Sequence, residues 1–307
     1  NPNSLPLSLE IIDTSFVLND VFFSSIILNF IIDNYSDQFN SDFLDKIFFI
    51  LQRRFLHSLP PGLDEKCKNQ LAKNLALVSS LFPQYMDKNW DDCNIEDLML
   101  YFTFLYERFI NNSEESDYFF IARFKSDEMI NFIMKILSQA EISESWLILM
   151  KFVVQQTVGE VFDSSLIWPY LPILQTVPEQ PILYSKFYDL YQEIALDPDA
   201  VAFEPSNDFP LVKEFMIILI NTVDKLISEN DDQALQWASV AWNEIIDYSI
   251  DFFIFFIDDF TGALLEKFLE VLKFAIDEPS EFLELLETSP NNIVPIVNYN
   301  PNFYPVI

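Results

Sequence analysis

The chain is 307 residues long with a formal charge of -31, is 50% hydrophobic with 32 Phe, and contains only 3 Gly. Its aromatic and aliphatic content excludes an acidic disordered polymer, which could not bury enough apolar surface to offset the entropy of ordering. Gly62, Gly159 and Gly262 stand isolated, which excludes a P-loop or a dinucleotide-binding turn, because both need clustered glycines for the backbone to approach a phosphate.

The acidic balance opposes direct binding to DNA or RNA, where Lys and Arg must displace counterions, and opposes an anionic membrane surface. It favours a partner with a basic surface and a fast, salt-sensitive encounter. Cys67 and Cys93 cannot form a disulfide framework, so both are read as packed thiols in a reducing compartment. The start, Asn1-Pro2-Asn3-Ser4, carries neither Met nor a basic leader, and the chain is expected to be a piece of a longer protein.

In chain order, nearly every segment repeats at helical period. The apolar run at 21–32 is too short to span a membrane and is interrupted by Ser24, Ser25 and Asn29. Phe43, Leu44, Ile47, Phe48, Leu51 and Phe55 form a broad stripe, with Asp42, Asp45, Lys46, Gln52, Arg53 and Arg54 on the wet side. Pro60-Pro61-Gly62 stops that helix, and Leu63-Asp64-Glu65 opens the next with acid in its first turn. Leu71, Leu75, Val78 and Phe82 continue the pattern, and Asn94 is placed to cap a helix beginning Ile95-Glu96-Asp97.

Pro169, Pro172, Pro178 and Pro181 should break the middle of the chain into short helices, and 197–210 reads as a long loop. Asn230 with Gln233 resembles a capping box before a helix at 234–248, followed by a stripe at 264–274. The pattern predicts an all-α protein of roughly ten to thirteen helices of about 12–22 residues, paired into a HEAT-like α-α superhelix. A single array is expected over residues 1–288, with a Pro/Asn-rich irregular tail at 289–307.

No constellation for catalysis is found. His57 is the only histidine. It sits near a helix C-terminus after Arg53 and Arg54, where the dipole suits a partly charged imidazole, and no second His is available for a triad. The pairs Asp91-Asp92, Glu114-Glu115, Asp231-Asp232 and Asp258-Asp259 lack the Asp/Asn spacing and central Gly of a calcium loop and read as solvated faces. The Phe doublets at 22–23, 48–49, 119–120, 252–253 and 255–256 have no basic neighbours for base stacking and read as core, with a minority projecting as a cargo patch. Lys and Arg gather between Lys46 and Lys73, where they neutralise neighbours or meet an acidic partner. The chain is therefore expected to be no enzyme, with no cofactor and no metal.

The first third carries a recognisable order. Leu9-Glu10-Ile11-Ile12 ends one helix. Val21-Phe22-Phe23-Ser24-Ser25-Ile26-Ile27-Leu28 and a helix at 41–54 follow, and then Lys68-Asn69-Gln70-Leu71-Ala72-Lys73-Asn74-Leu75-Ala76-Leu77, Trp90 and Ile95-Glu96-Asp97-Leu98. This order resembles the importin-β superfamily of nuclear transport receptors, in particular the exportin-like branch that contains transportin-SR and importin-thirteen. Trp146-Leu147-Ile148-Leu149-Met150-Lys151-Phe152 with Val158-Gly159 resembles the next repeat of that family, although Val153-Val154 stands where the family has a Ser-Trp pair.

The resemblance implies a monomeric receptor that binds Ran-GTP through inner helices and carries protein cargo with basic surfaces. It also implies contact with Phe-Gly nucleoporins on the outer side and shuttling between cytoplasm and nucleus. The inner helices would be those at 41–57 and 94–111, whose polar faces offer Asp42, Asp45, Glu96, Asp97 and Glu107 as Ran contacts. The alternative is a HEAT-repeat scaffold for assembling protein complexes without Ran dependence.

Overall fold

The computed structural model describes residues 5–35, 38–56, 65–86, 90, 93–111, 118–157, 166–195 and 209–229. Among these residues every regular element is helical, in agreement with the all-α expectation. The chain divides into two compact units, residues 1–156 and 157–307, each taken by itself below. Expectations for His57, the 60–62 breaker, Gly159, the loop at 197–208, the Asn230–Gln233 cap, the helices at 234–248 and 264–274 and the 289–307 tail lie outside the described residues, as do those for the acidic pairs at 91–92, 114–115, 231–232 and 258–259.

The first unit contains α1 (Leu5–Thr14), α2 (Leu18–Tyr35), α3 (Ser41–Leu56), α4 (Glu65–Leu81), α5 (Ile95–Asn111), α6 (Tyr118–Phe124), α7 (Asp127–Leu137) and α8 (Glu144–Thr157). Polar side chains close the first turns, where backbone N–H groups have no intrahelical partner. Asn40 Oδ1 accepts from the Phe43 N–H at 2.9 Å, and Asn94 Oδ1 accepts from the Asp97 N–H at 2.8 Å, the cap expected from the sequence. Ser143 Oγ accepts from the Trp146 N–H at 3.2 Å at the start of α8.

Neighbouring helices pack as hairpins, α1 on α2 and α3 on α4, while α1 also meets α3 and α2 also meets α4. Helix α4 is the centre of this group, since α2, α3 and α5 all pack on it. Its sequence explains how three helices fit. Ala72, Ala76, Ser79 and Ser80 are buried among Leu71, Leu75, Leu77 and Val78, and small side chains let neighbouring backbones approach closely. Several polar groups on these surfaces are matched, although the buried Ser25 Oγ has no hydrogen-bond partner. Buried Asn74 donates to the Ser25 carbonyl at 2.9 Å, and its Oδ1 accepts from Asn29 at 2.9 Å and Gln70 at 3.1 Å. The Tyr101 hydroxyl of α5 donates to Ser79 Oγ at 2.7 Å.

Aromatic rings join the later helices. Phe152 of α8 stacks on Phe124 of α6 at 4.5 Å and meets Tyr106 and Phe109 of α5 at 5.5 and 5.6 Å. The Phe doublets at 22–23, 48–49 and 119–120 do not enter the core whole, as the sequence reading expected for most of them, and those at 252–253 and 255–256 lie outside the described residues. Phe48 and Phe120 are buried while Phe49 and Phe119 are exposed, and Phe22 is half-buried while Phe23 is exposed. Adjacent residues on a helix point about 100° apart, so one ring of a doublet turns in and the other turns out.

In the second unit the prolines act as expected. Pro169, Pro172 and Pro178 each occupy the first positions of a short helical piece, at Trp168–Tyr170, α9 (Leu171–Leu174) and Val177–Glu179. Helices α10 (Tyr184–Ala195) and α11 (Phe209–Glu229) follow and pack on each other, with Phe187 stacked on Phe215 at 5.1 Å. Pro210, read from the sequence as the end of a loop, lies inside the first turn of α11, where its missing N–H costs no hydrogen bond. No helix among the described residues is long and apolar enough to cross a membrane.

Candidate functional site

The acidic residues singled out on the 41–57 and 94–111 segments fall on α3 and α5, and both helices lean on α4. Asp42 opens α3, and Glu96 and Asp97 open α5, so these three lie where a helix N-terminus favours negative charge, whereas Asp45 lies beyond the first turn of α3. Glu96 and Glu107 are both exposed. Eleven positions bring a helix back to almost the same angle, so these carboxylates share one side of α5 about 16 Å apart.

The structure gives the five residues different work. Asp42, Glu96 and Glu107 are exposed, whereas Asp45 is half-buried and Asp97 is only 5% exposed. Asp45 accepts a hydrogen bond from the Tyr85 hydroxyl, and the Tyr85 ring stacks on Phe48 at 4.6 Å. Burial first, and that hydrogen bond second, push the Tyr85 hydroxyl up to about 12. Asp97 forms an ion pair with Lys68 of α4, and its backbone N–H is the one capped by Asn94. Asp45 and Asp97 therefore hold helices together, which a reading of acids as a solvated face does not anticipate.

The basic residues near α3 and α4 are largely turned to neighbours in the same way. Arg53 pairs with Asp13 and Lys68 pairs with Asp97. Lys73 lies over the Phe104 ring at 5.0 Å. Buried Arg54 donates to the Ser15 carbonyl, and burial pulls its pKa below the usual value against the opposing pull of Asp13.

Both cysteines are free. Cys67 is buried as expected, with its thiol donating to the Leu18 carbonyl at 3.1 Å, but Cys93 is half-buried. Burial and then the Asp97 carboxylate push the Cys93 thiol up to about 12, against a smaller opposing effect of Lys68. The folded state thus holds this proton more tightly than the unfolded chain. The resulting stability is complete below about pH 9 and is lost as pH rises toward about 12. At pH 8, alkylation of Cys93 in the folded protein should run about a thousandfold slower than that of a free thiol. Site-resolved mass spectrometry of an iodoacetamide time course measures this, and a rate near that of free cysteine would contradict the placement of the thiol beside Asp97.

Among the described residues no group of three or more His, Cys, Asp or Glu side chains is placed to hold a metal ion. An open groove of about 480 Å³ is lined by Leu81, Pro83, Gln84, Phe119 and Arg123. Arg123 there pairs with Glu128 at 2.7 Å, which leaves the groove mainly apolar.

The sequence reading let a minority of the Phe doublets project but did not place the patch, which is the outer side of α2. Phe23, Ile26, Ile27 and Phe30 are all exposed, while Ser24 and Ser25 are buried. The signal was present in the interruptions of the apolar run. Ser25 and Asn29 lie on the side that meets α4 and Ser24 is buried, so the larger apolar residues are left to solvent. Comparison with known protein families, with curated proteins and with solved structures finds no match to this chain.

Proposed function

We propose that the chain is a nuclear transport receptor of the importin-β type, a HEAT-like superhelix that binds Ran-GTP and carries basic protein cargo. It would contact Phe-Gly nucleoporins and shuttle between cytoplasm and nucleus. The observation that carries the reading is the arrangement of the first unit. Helices α1 to α5 pack as hairpins and also across hairpins, in the order that resembles the family, and the exposed acids Asp42, Glu96 and Glu107 stand on α3 and α5. An acidic surface on packed helix pairs suits the basic face of a small GTPase, and coupling between repeats would allow the array to flex between cargo-bound and Ran-bound forms.

The residues to test are the exposed ones, since Asp45 and Asp97 also serve the fold. Glu96→Lys with Glu107→Lys should weaken capture of Ran-GTP by about threefold to tenfold at low salt, with a smaller loss at high salt. Fluorescence anisotropy with labelled Ran-GTP measures it, and unchanged affinity with an intact helical spectrum would remove α5 from the contact. A second reading is a helical scaffold without Ran dependence. The exposed apolar side of α2 favours it, because a protein can dock there without any nucleotide.

A further inference from the structure

Helix α2 is built inside out. Its inner side is Val21, Ser24, Ser25, Leu28, Ile31 and Ile32, and its outer side presents Phe23, Ile26, Ile27 and Phe30 at i, i+3, i+4 and i+7. Phe23 is 60% exposed and Phe30 is 58% exposed. Single exposed apolar residues are ordinary, but a contiguous helical stripe of two Phe and two Ile is the pattern of a surface that a second helix covers.

The charges around the stripe select the occupant. Asn19 and Asp20 bound it at one end, and Asp33 and Asn34 bound it at the other. Helix α2 contains no Lys or Arg. Among the described residues, Arg108 of α5 lies 3.6 Å from Asp33 at one end, and buried Arg54 of α3 reaches the Ser15 carbonyl just before the other. A second copy of this chain would bring carboxylate against carboxylate in either orientation, parallel or antiparallel, between molecules of charge -31. A membrane is disfavoured by the same acids, since interfacial helices need a basic polar face.

We propose that the outer side of α2 is a docking site for an amphipathic helix of a partner protein, with an apolar stripe of about two to three turns and Lys or Arg at its ends. The partner's apolar residues would interleave with Phe23, Ile26, Ile27 and Phe30, and its basic ends would meet exposed Asp20 and compete with Arg108 for Asp33. This docking does not depend on Ran.

The test uses the 307-residue chain and a labelled peptide of Leu and Lys patterned as an amphipathic helix, with a scrambled peptide of identical composition as the control for bulk charge. The patterned peptide should bind about tenfold or more tightly than the scramble. Phe23→Ser with Phe30→Ser should remove that advantage while the helical spectrum and melting curve stay as in the unmutated chain, because both rings are exposed. Asp20→Lys should lower binding of both peptides. Equal binding of the two peptides, or full retention by the Phe23→Ser, Phe30→Ser variant, would overturn the proposal. So would dimerisation in sedimentation that this variant abolishes, or stripe-dependent binding to phosphatidylcholine vesicles, since each names a different occupant. Loss of Ran-GTP capture with peptide binding intact would defeat only the transport reading.

Discussion

Trp146→Ala is expected to lower the stability of the first unit by about 3–5 kcal/mol. Trp146 has no exposed surface, and its indole N–H donates to the Leu137 carbonyl at 3.0 Å. That carbonyl belongs to the last turn of α7, where the helix itself no longer supplies every acceptor with a donor. The substitution leaves a large cavity and also removes the hydrogen bond that ties the end of α7 to the start of α8. Trp146→Phe keeps much of the volume and loses the N–H, so it should cost less, about 1–2 kcal/mol. Urea unfolding followed by circular dichroism separates the variants. A loss below about 1 kcal/mol for Trp146→Ala would mean that the site collapses without penalty and that the ring does not join the two helices.

Asp97→Ala is expected to cost about 3 kcal/mol, at the lower end for a broken buried pair because Lys68 keeps some access to water. The cost is mainly that of leaving the Lys68 ammonium between α4 and α5 without its carboxylate. Adding Lys68→Met should therefore recover a large part of the loss, and a double-mutant cycle measures the coupling. The same substitution has a second readout. Removing the Asp97 carboxylate lowers the pKa of Cys93, so the thiol should alkylate faster than in the unmutated chain at the same pH. Additive losses in the cycle and an unchanged alkylation rate would contradict the placement of Asp97 against both groups. If the account holds, charge reversal at Asp97 reports on folding, whereas the same change at exposed Glu96 reports on binding.

These two sites also mark what was legible in the sequence. Most of the stripe of α3 was legible because Leu44, Ile47, Phe48, Leu51 and Phe55 recur at helical spacing and are buried, whereas Phe43 is only half-buried and Gln52 and Arg54, read as the wet side, are buried. The Asn94 cap and the proline breaks at 169, 172 and 178 were legible because each acts within one turn of its own position. The roles of Asp45 and Asp97 were not, because their partners come from distant positions, Tyr85 and Lys68, and periodicity carries no information about which helix a polar face will meet.

Helix α2 was hardest to orient. Its 11 apolar and aromatic residues among 18 fall on all sides, so spacing does not distinguish inside from outside. The choice is made by Asn74 on α4, whose side chain binds the Ser25 carbonyl and accepts from Asn29, and so turns Phe23 and Phe30 outward. A hydrogen-bonding requirement between two helices thus decides which apolar residues remain on the surface.

The most direct test of the proposed function is capture of Ran by the 307-residue chain, with Ran loaded with GTP or with GDP and at two salt concentrations. Selective capture of the GTP form that weakens as salt rises is expected, because exposed carboxylates on α3 and α5 would meet a basic surface. Equal capture of both nucleotide forms, or none from a sample with a helical spectrum, would contradict it.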